Sequence, residues 1–516
     1  MEGEKKQLSR RSFLKGTAMG AVAIAGTGVL AGCGAKPEAA SGLPEKWDKE
    51  TDVVVIGFGG AGASAAIGAR EAGAEVVILE KQAVMGGSTA VSGGVFYASN
   101  TSVQKAFGIE DSADKMYEHY MNAGMGFNDP KLSRIAADQS AANVERLIAL
   151  GVTFPTAPTV AGAEYHVGSE PIARVHSVVY GDMSGGGAYF RALEEGAKNA
   201  GAEVLTETEA KELLVDSAGQ VVGVKAVSGG NDMYIKARKG VIISTGGFTR
   251  SEEMLKTYNE QAYYCQPLGA PNLTGDGIRM AFMLGAAAFN IDEVLGIPGL
   301  TLPGKIAATY AFWTFGTAPA ILVNNRGDRF VDEYGFYDWK NTELLKQPGR
   351  YAFSVFDAAT RDAGKGMIVA GFSDDLEQEV ADGLVFKADT LADLAAQLGV
   401  PEDRFAATIA KWNEDAKAGK DTDFNRTLFL NPIETAPFYA FKTFPTMFDT
   451  MGGLKINENA QVIHLSGNLI PRLYAVPMAA GGVLGEHYPG SGSALNAGMT
   501  FGLIAGKHAA GLETVS

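Results

Sequence analysis

Residues 51–81, TDVVVIGFGGAGASAAIGAREAGAEVVILEK, decide the fold of this chain. A run of β-branched residues at 53–56 predicts a strand that is buried on both faces. The run ends at residues 57–62, GFGGAG, which fit the pattern G-x-G-x-x-G, and a predicted helix and a second strand follow. Because strand, glycine loop, helix, strand and the acid Glu80 occur in this order within about 30 residues, they predict a dinucleotide-binding α/β unit.

The glycines of this unit have separate physical roles in holding a dinucleotide. They permit a tight turn, close approach of the backbone to a pyrophosphate, and close packing of helix on strand. The helix N-terminus adds free N–H groups and the positive end of a dipole. The acid at the end of the second strand can accept hydrogen bonds from the adenosine ribose. We therefore predict cofactor contacts at Gly57, Gly59, Gly62 and Glu80.

A second glycine-rich segment, KQAVMGGSTAVSGG at residues 81–94, follows the acid directly. Its two glycine pairs flank hydroxyl side chains, a pattern typical either of a flexible surface loop or of backbone lying against a cofactor. The position immediately after the ribose acid favours the cofactor. The predicted contacts in this segment are Lys81, Gly87, Ser88, Thr89, Ser92, Gly93 and Gly94.

Two later segments also have the character of cofactor loops. Asp276, in TGDG, precedes a predicted helix and can bind the ribityl hydroxyls of a flavin, cap that helix, or do both. Near the C-terminus, GEHYPGSGSAL at residues 485–495 leads into a helix of small residues, so we predict contacts at Ala494 and Leu495. Residues 290–432 contain more aromatic and charged residues, which predicts a domain inserted into the cofactor domain.

The composition excludes several classes of function. The chain has 516 residues, a formal charge of −15 and only two cysteines. The negative charge argues against nucleic acid and anionic membrane surfaces as partners. Two cysteines are too few for an iron–sulfur cluster ligated by cysteines alone, no haem attachment motif is present, and we predict no metal site. Any redox centre is therefore expected to be a bound organic cofactor.

The N-terminus has the pattern of an export signal. Residues 9–15, SRRSFLK, form a twin-arginine motif, and a weakly apolar run follows at 16–30. The sequence LAGC then predicts a lipoprotein cleavage site with Cys33 as the lipidated residue. The alternative is a short membrane anchor, but the run is shorter than the roughly 20 apolar residues that a span needs. We expect export by the twin-arginine route and a lipid anchor in the cell envelope, on the periplasmic or outer face.

The chain resembles the flavoproteins of the fumarate reductase and succinate dehydrogenase family. The similar segments, in order, are VVVIGFGGAGASAA, LEKQAVMGGSTAVSGG, VIISTGGF, TGDGIRMA, ILVNNRGDRFVDE, DTMGGLKIN and GMTFGLIAG. The resemblance implies non-covalent FAD in a Rossmann-like α/β domain of the GR2 type, with an inserted α+β capping domain. It also implies FAD contacts at Ala61, Glu80, Ser88, Thr89, Gly93, Gly94, Ala210 and Asp276. The expected parts are a signal (1–33), a linker (34–50), the FAD-binding domain (51–285 and 436–516) and the capping domain (286–435).

The chain departs from fumarate reductases where those enzymes carry cationic residues. An arginine after the RF-x-x-E element is replaced by Tyr337, a histidine before the TMGG element by Asp449, and an arginine of the last loop by Tyr488. The two tyrosines and the Y-P-G-x-G loop are instead similar to the 3-oxosteroid 1-dehydrogenase branch. Arg174 and His176 resemble a stretch of urocanate-reductase-like respiratory reductases, and such a pair can hold a polar group of a substrate or serve a structural role.

These resemblances imply a reaction at a carbon–carbon bond next to a carbonyl. We predict that Tyr337 donates or accepts a proton, and that the Tyr488 hydroxyl and the Gly492 N–H bind the carbonyl oxygen. The first hypothesis is an FAD-dependent reductase of an α,β-unsaturated acid or enone, supplied by an external cytochrome or quinol system. The alternatives are a 3-ketosteroid Δ1-dehydrogenase-like enzyme that passes electrons to an acceptor, and a non-catalytic FAD electron carrier at the cell surface.

Overall fold

The computed structural model describes residues 43–161, 163–300, 320–363 and 373–511. The predicted twin-arginine motif and Cys33 lie outside these residues. In the ranges that are described, we found no helix with both the length and the apolar character needed to cross a membrane.

The predicted dinucleotide-binding unit forms the centre of an eight-stranded sheet. The strand Lys49–Ile56 pairs in parallel with Val76–Leu79 on one side and with Asn231–Ile243 on the other. Residues 53–56 are buried, as their β-branched run predicts. The order of six strands across the sheet is Gln461–Ile463, Leu469–Ala475, Asn231–Ile243, Lys49–Ile56, Val76–Leu79 and Glu203–Leu205. The other two strands branch from Asn231–Ile243, because Val221–Ser228 pairs with it and Thr208–Val215 pairs with Val221–Ser228, both antiparallel.

Two helices rich in small residues pack together against this sheet. The helix Gly60–Glu71 follows the glycine loop, and the C-terminal helix Ser493–Ala509 lies against it. A Cβ on Gly506 would stand only 2.1 Å from the Ala65 carbonyl oxygen, so the two backbones approach as closely as glycine allows. The cofactor domain is therefore built from both ends of the described chain.

A second, six-stranded sheet lies between these two parts of the sequence. Its long strand Phe438–Thr450 pairs with most of its other strands, although residues 436–516 were predicted to belong to the FAD-binding domain. By sheet membership, the capping part therefore continues to about residue 450. The strands are Gln266–Pro267, Val294–Gly299, Ile321–Asn324, Ala352–Asp357, Val385–Ala388 and Phe438–Thr450.

A buried network of charges stabilises the capping part. Glu333 accepts hydrogen bonds from Arg329 (2.9 Å) and from Arg426 (3.0 Å), and Arg329 also pairs with Asp421 at 3.0 Å. All four side chains are buried, and the Arg329 guanidinium lies 4.5 Å from the ring centre of Trp412. The RF-x-x-E element, which includes Arg329 and Glu333, thus has a structural role in this fold.

Other elements complete the structure. Short antiparallel ribbons pair Phe96–Tyr97 with Val175–His176, Val179–Tyr180 with Met183–Ser184, and Ala288–Phe289 with Gly453–Leu454. The further α-helices are Gly87–Val91, Ser102–Ala106, Ala113–Gly124, Pro130–Ala149, Gly185–Asn199, Glu252–Tyr258, Asp276–Phe282, Tyr337–Leu345, Ala358–Ala363, Glu377–Ala381, Leu391–Leu398 and Glu402–Ala418. Short 3₁₀ helices cover Ala163–His166, Ala262–Tyr264 and Pro348–Arg350. The predicted α/β fold with a second mixed part is confirmed.

Candidate active site

A cavity of about 1030 Å³ lies at the carboxyl ends of the parallel strands of the first sheet. Residues that directly follow these strands, such as Gly57, Glu80 and Ser244, form one side of it. Leu295 and Phe448, from strands of the second sheet, form part of another side. Ligands of open α/β sheets bind at this end of the strands, so the cavity is the candidate active site.

Almost all the predicted cofactor residues lie along this cavity. Gly62 is the exception, and its role is packing: a Cβ there would stand 2.1 Å from the Gly57 carbonyl oxygen. The predicted residues that line the cavity are Gly57, Gly59, Ala61, Glu80, Lys81, Gly87, Ser88, Thr89, Ser92, Gly93, Gly94, Ala210, Asp276, Ala494 and Leu495.

The acid of the second strand is well placed for a ribose. Glu80 is buried, and its carboxylate oxygens accept N–H bonds from Phe58 at 3.0 Å and from Gln82 at 2.9 Å. Each oxygen has a further lone pair that a ribose hydroxyl can use. The two backbone bonds fix the carboxylate in position, so it is ready to accept these hydroxyls.

Asp276 stands at the start of the helix Asp276–Phe282 and also forms an ion pair. Lys81 Nζ lies 2.6 Å from Asp276 Oδ2 and 2.7 Å from the Thr274 hydroxyl. Burial raises the pKa of Asp276, but the hydrogen bond and charge of Lys81 outweigh it, and the pKa is lowered overall. The carboxylate is therefore ionised and can accept a hydroxyl, while its contact with a flavin stays a prediction.

The glycine-rich segment 86–94 is held tightly enough to form a cradle. A Cβ on Gly94 would stand 1.9 Å from the Gly185 carbonyl carbon, and Gly94 has a positive φ of 64°. The helices Gly60–Glu71 and Ser493–Ala509 both begin at the cavity, where the positive ends of their dipoles favour anionic or polar ligand atoms. These helix termini, together with Glu80, fit FAD bound without a covalent link.

The two predicted catalytic tyrosines meet in this cavity, although they are 151 positions apart in the sequence. Tyr337 begins the helix Tyr337–Leu345 of the capping part, and Tyr488 lies in the last loop of the cofactor part. Their ring centres are 6.3 Å apart, and the rings are inclined at 34°. The Tyr337 hydroxyl is 3.0 Å from the hydroxyl of Ser491, which also lines the cavity.

The hydroxyl of Tyr488 is oriented by the start of the C-terminal helix. Its oxygen accepts the Ala494 N–H at 3.0 Å, and the N–H groups of Gly492 and Ser493 also face it. Burial raises the pKa of Tyr488 well above its ordinary value, and these N–H groups oppose the rise only in part. Tyr488 is therefore neutral, and because its oxygen is the acceptor, its own proton is available for a ligand.

The predicted partner of Tyr488, Gly492, occupies a backbone position that only glycine fits. Its φ is 99°, and a Cβ would stand 2.5 Å from the Val95 carbonyl oxygen. The Gly492 N–H faces the Tyr488 hydroxyl in this structure. Its direct bond to a substrate oxygen therefore stays a prediction, and its effect on Tyr488 is to oppose the rise in the pKa of that hydroxyl.

Charged residues that were not predicted from the sequence lie beside these tyrosines. The Lys340 ammonium lies 5.6 Å from the ring centre of Tyr337 and donates to the Glu333 carbonyl at 3.0 Å. Burial lowers the pKa of Lys340 to about 8. The His487 Nδ1 atom pairs with Asp338 Oδ2 at 2.5 Å, which links the helix of Tyr337 to the loop of Tyr488. The only sequence signal was their spacing, since each lies within three positions of a predicted tyrosine.

Arg174 and His176, the predicted substrate residues, do not line the cavity. Arg174 forms a two-bond ion pair with Asp111, with both N–O distances 2.8 Å, and His176 Nε2 lies 2.9 Å from the Thr101 hydroxyl. Both side chains are fully buried. Val175 between them does line the cavity, and side chains alternate along a strand, so its two neighbours point away. The geometry thus supports the structural role that the sequence left open for this pair.

Asp449, which the sequence marked only as a departure from fumarate reductases, lines the cavity and is 8% exposed. Its Oδ1 atom accepts the N–H groups of Gly247 at 3.1 Å and Thr450 at 2.9 Å. Burial, which these two bonds only partly oppose, raises the pKa of Asp449 to about 7. The cavity therefore contains a carboxyl group that changes its charge near neutral pH.

Comparison with known proteins agrees with this geometry. Residues 52–495 match the family described as FAD binding domain. The chain is 31% identical to a cytochrome fumarate reductase of Shewanella frigidimarina over 476 residues, which cover 92% of this chain and 80% of that protein. It is 33% identical to a urocanate reductase of Eggerthella lenta over 480 residues, covering 91% and 76% of the two chains.

A solved steroid enzyme has a similar fold. It is the 3-ketosteroid-Δ4-(5α)-dehydrogenase of Rhodococcus jostii RHA1 in complex with 4-androstene-3,17-dione, with a TM-score of 0.75 and 27% identity over 91% of this chain and 98% of that one. The family match confirms FAD as the cofactor and an enzyme that acts on CH–CH bonds. The chain therefore belongs to the FAD-dependent flavoprotein family of the fumarate reductases and succinate dehydrogenases.

Proposed function

We propose that this protein reduces a carbon–carbon double bond conjugated to the carbonyl of a neutral substrate, an enone, with electrons from an external carrier. The observation that carries the proposal is the pair of tyrosines, Tyr337 and Tyr488, which meet with ring centres 6.3 Å apart in the cofactor cavity. Two phenols are suited to an uncharged carbonyl, because one can bind the oxygen while the other supplies a proton.

The charges along the cavity favour a neutral substrate over a carboxylic acid. Among the residues that the structure describes, Lys81 is the only basic side chain in the cavity wall, and it is paired with Asp276 at 2.6 Å. Recognition of a carboxylate normally uses an unpaired arginine or lysine. The wall of the described cavity offers none, and Asp449 adds a carboxyl group that would repel a carboxylate when ionised.

The chemistry divides between the cofactor and the two tyrosines. Reduced FAD, when bound, would supply hydride to the β carbon of the substrate. Tyr488 donates a hydrogen bond to the carbonyl oxygen, keeps its proton, and stabilises the negative charge that develops there. Tyr337 donates a proton to the α carbon, so one hydride and one proton together saturate the double bond. The nearby Lys340 ammonium, 5.6 Å from the Tyr337 ring centre, stabilises the phenolate left behind.

The reverse reaction is a second candidate. The same residues can remove a proton from a saturated ketone if Tyr337 starts as a phenolate, and the similar steroid enzyme is named a dehydrogenase. The electron carrier then becomes an acceptor instead of a donor. The Shewanella relative is named a cytochrome fumarate reductase, which supports an electron donor as the partner and hence the reductase direction.

The direction of the reaction is tested with purified protein that contains FAD. The cofactor is reduced with dithionite without oxygen, and cyclic enones or unsaturated acids are added while the oxidised flavin absorbance is followed. We expect reoxidation by enones and little by the acids. Bleaching of oxidised FAD by a saturated 3-ketosteroid would instead support the dehydrogenase, and reoxidation by the acids alone would refute the neutral substrate.

The role of Tyr337 is tested by Tyr337→Phe in the same assay. We expect enone reduction to slow by about 10²-fold or more, because general acid catalysis contributes on this scale. A rate within a few-fold of the unchanged protein, with intact FAD content, would rule out proton transfer by Tyr337.

Export and lipid anchoring belong to this proposal as well, supported by the twin-arginine motif at residues 9–15 and by Cys33. Expression of the full chain in a bacterium with the twin-arginine system should place it in the membrane fraction of the envelope. Cys33→Ala should release it from that fraction. Retention of the unchanged protein in the cytoplasm would refute the export proposal.

A further inference from the structure

One carboxylate oxygen of Asp449 accepts hydrogen bonds from the backbone, and the other accepts none from a described residue. Oδ1 accepts two backbone N–H groups, from Gly247 and Thr450. Oδ2 makes no hydrogen bond to a described residue and lies 3.8 Å from the position of a Cβ on Gly246, another residue of the cavity wall. The side chain is 8% exposed, so this acceptor has little access to solvent outside the cavity.

The other acids of the described cavity wall differ from Asp449. Glu80 has a backbone donor on each oxygen, Asp276 pairs with Lys81, and Glu209 pairs with Lys211. Asp449 has no basic partner among the described residues. A carboxylate oxygen that lines a cavity and has no donor from a described residue is available to a ligand that donates a hydrogen bond to it.

The position of Asp449 is that of a substrate contact. It lies at the end of the strand Phe438–Thr450, opposite Leu295 of the neighbouring strand, and both residues line the cavity. The same strand is fixed to the helix of Tyr337, because Asn341 accepts the Thr446 N–H at 3.0 Å. Asp449 and Tyr337 therefore belong to one rigid side of the cavity, the side contributed by the capping part.

We infer that Asp449 is a specificity-determining residue whose free oxygen binds a hydrogen-bond-donating group of the substrate, a hydroxyl or an ammonium, and excludes a carboxylate. This inference rests on the proposed enone reduction and names the class of enone. The substrate has a carbonyl at the Tyr488 end and a donor group at the Asp449 end. A hydroxyl and an ammonium share this chemistry, and they differ in how their binding depends on pH.

The test uses FAD-containing protein and a set of substituted cyclic enones. Each compound carries an amine, a hydroxyl, a methyl ether or a carboxylate at one ring position, and the set includes all four substituents at every position. The unsubstituted enone is the reference. We expect kcat/KM for the best amine or hydroxyl compound to exceed that of the matched ether by at least about tenfold, because a site built to bind a donor rejects an analogue that lacks it. An equal rate for donor and ether, or a preference for the carboxylate, overturns the inference.

The variant Asp449→Asn keeps an oxygen for the two backbone N–H groups but removes the charge. We expect its preference for the donor over the ether to fall to within about threefold, while the protein keeps its FAD. The matched control is Asp357→Asn, a buried aspartate outside the described cavity wall that also accepts backbone N–H bonds, and it should keep the full preference. A preference that survives in Asp449→Asn, or loss of FAD from that variant, overturns the inference.

The pH dependence separates the two donor groups. For an ammonium, KM should fall as pH rises through about 7, where Asp449 loses its proton, whereas a hydroxyl compound should show no such gain. The two proposals also fail in different ways. If no enone reoxidises the reduced flavin, enone reduction itself is refuted. If enones are reduced without discrimination, only the role of Asp449 is refuted.

Discussion

Replacement of Tyr488 by phenylalanine removes one hydroxyl from the cavity and should slow enone reduction by about 10²–10³-fold. The hydroxyl oxygen accepts the Ala494 N–H at 3.0 Å, so its proton is the one that can reach a substrate oxygen. Removal of one such donor from an oxyanion site typically costs about 2.7–4 kcal/mol of transition-state stabilisation, which sets the expected range. The variant also leaves the Ala494 N–H without its acceptor, which should lower the free energy of unfolding by about 1–3 kcal/mol.

These two effects are measured separately. Single-turnover reoxidation of dithionite-reduced FAD by an enone gives the rate, while urea unfolding gives the stability. Tyr474→Phe is the matched control, because Tyr474 is a buried tyrosine of the first sheet whose hydroxyl bonds His508 and does not line the described cavity. We expect the control to keep its rate within about twofold. A Tyr488→Phe rate within threefold of the unchanged protein, at equal FAD content, would refute the carbonyl-binding role.

Two further predictions concern stability. Glu333→Gln removes the charge that two buried arginines share, so we expect a loss of about 3 kcal/mol in the free energy of unfolding; a loss below about 1 kcal/mol in urea unfolding would contradict the role of this network. Burial lowers the pKa of His487, but the bond and charge of Asp338 outweigh it and raise the pKa above the usual value near 6.5. A group whose pKa is higher in the folded state than in the unfolded state stabilises the fold fully below its unfolded-state pKa, here about 6.5. This stabilisation is lost as pH rises through the folded-state pKa. Asp338→Asn should therefore be most destabilised, relative to the unchanged protein, below about pH 6.5, and a difference that grows with pH would contradict the pairing.

The sequence predicted the cofactor half of the site because its signals are local. Residues 57–62 and 86–94 each combine glycines and polar residues within one loop, and backbone geometry of this kind depends on few distant contacts. Arg174 is different, because its partner Asp111 lies 63 positions earlier in the chain and leaves no periodic pattern. The sequence alone does not distinguish a charged loop residue that faces a cavity from one that pairs with another charged side chain.

The end of the capping part was also beyond sequence reasoning. The strand Phe438–Thr450 is a single run of 13 residues, and its membership of the second sheet depends on pairing with strands as distant as Val294–Gly299. Asp449 was visible as a departure from related enzymes. Its free Oδ2 atom became apparent only when the bonds of Gly247 and Thr450 to the other oxygen were known.

The C-terminal helix Ser493–Ala509 has a consequence for the biosynthesis of the protein. Ala494 and Leu495, near its start, line the cavity, and its glycines pack closely against the helix Gly60–Glu71. A nascent chain can make the glycine loop early, but the binding site for the cofactor is complete only after residue 509 has been synthesised. Cofactor capture therefore has to wait for this helix, and a chain that stops before residue 493 should remain without flavin even if the first part of the cofactor domain has formed.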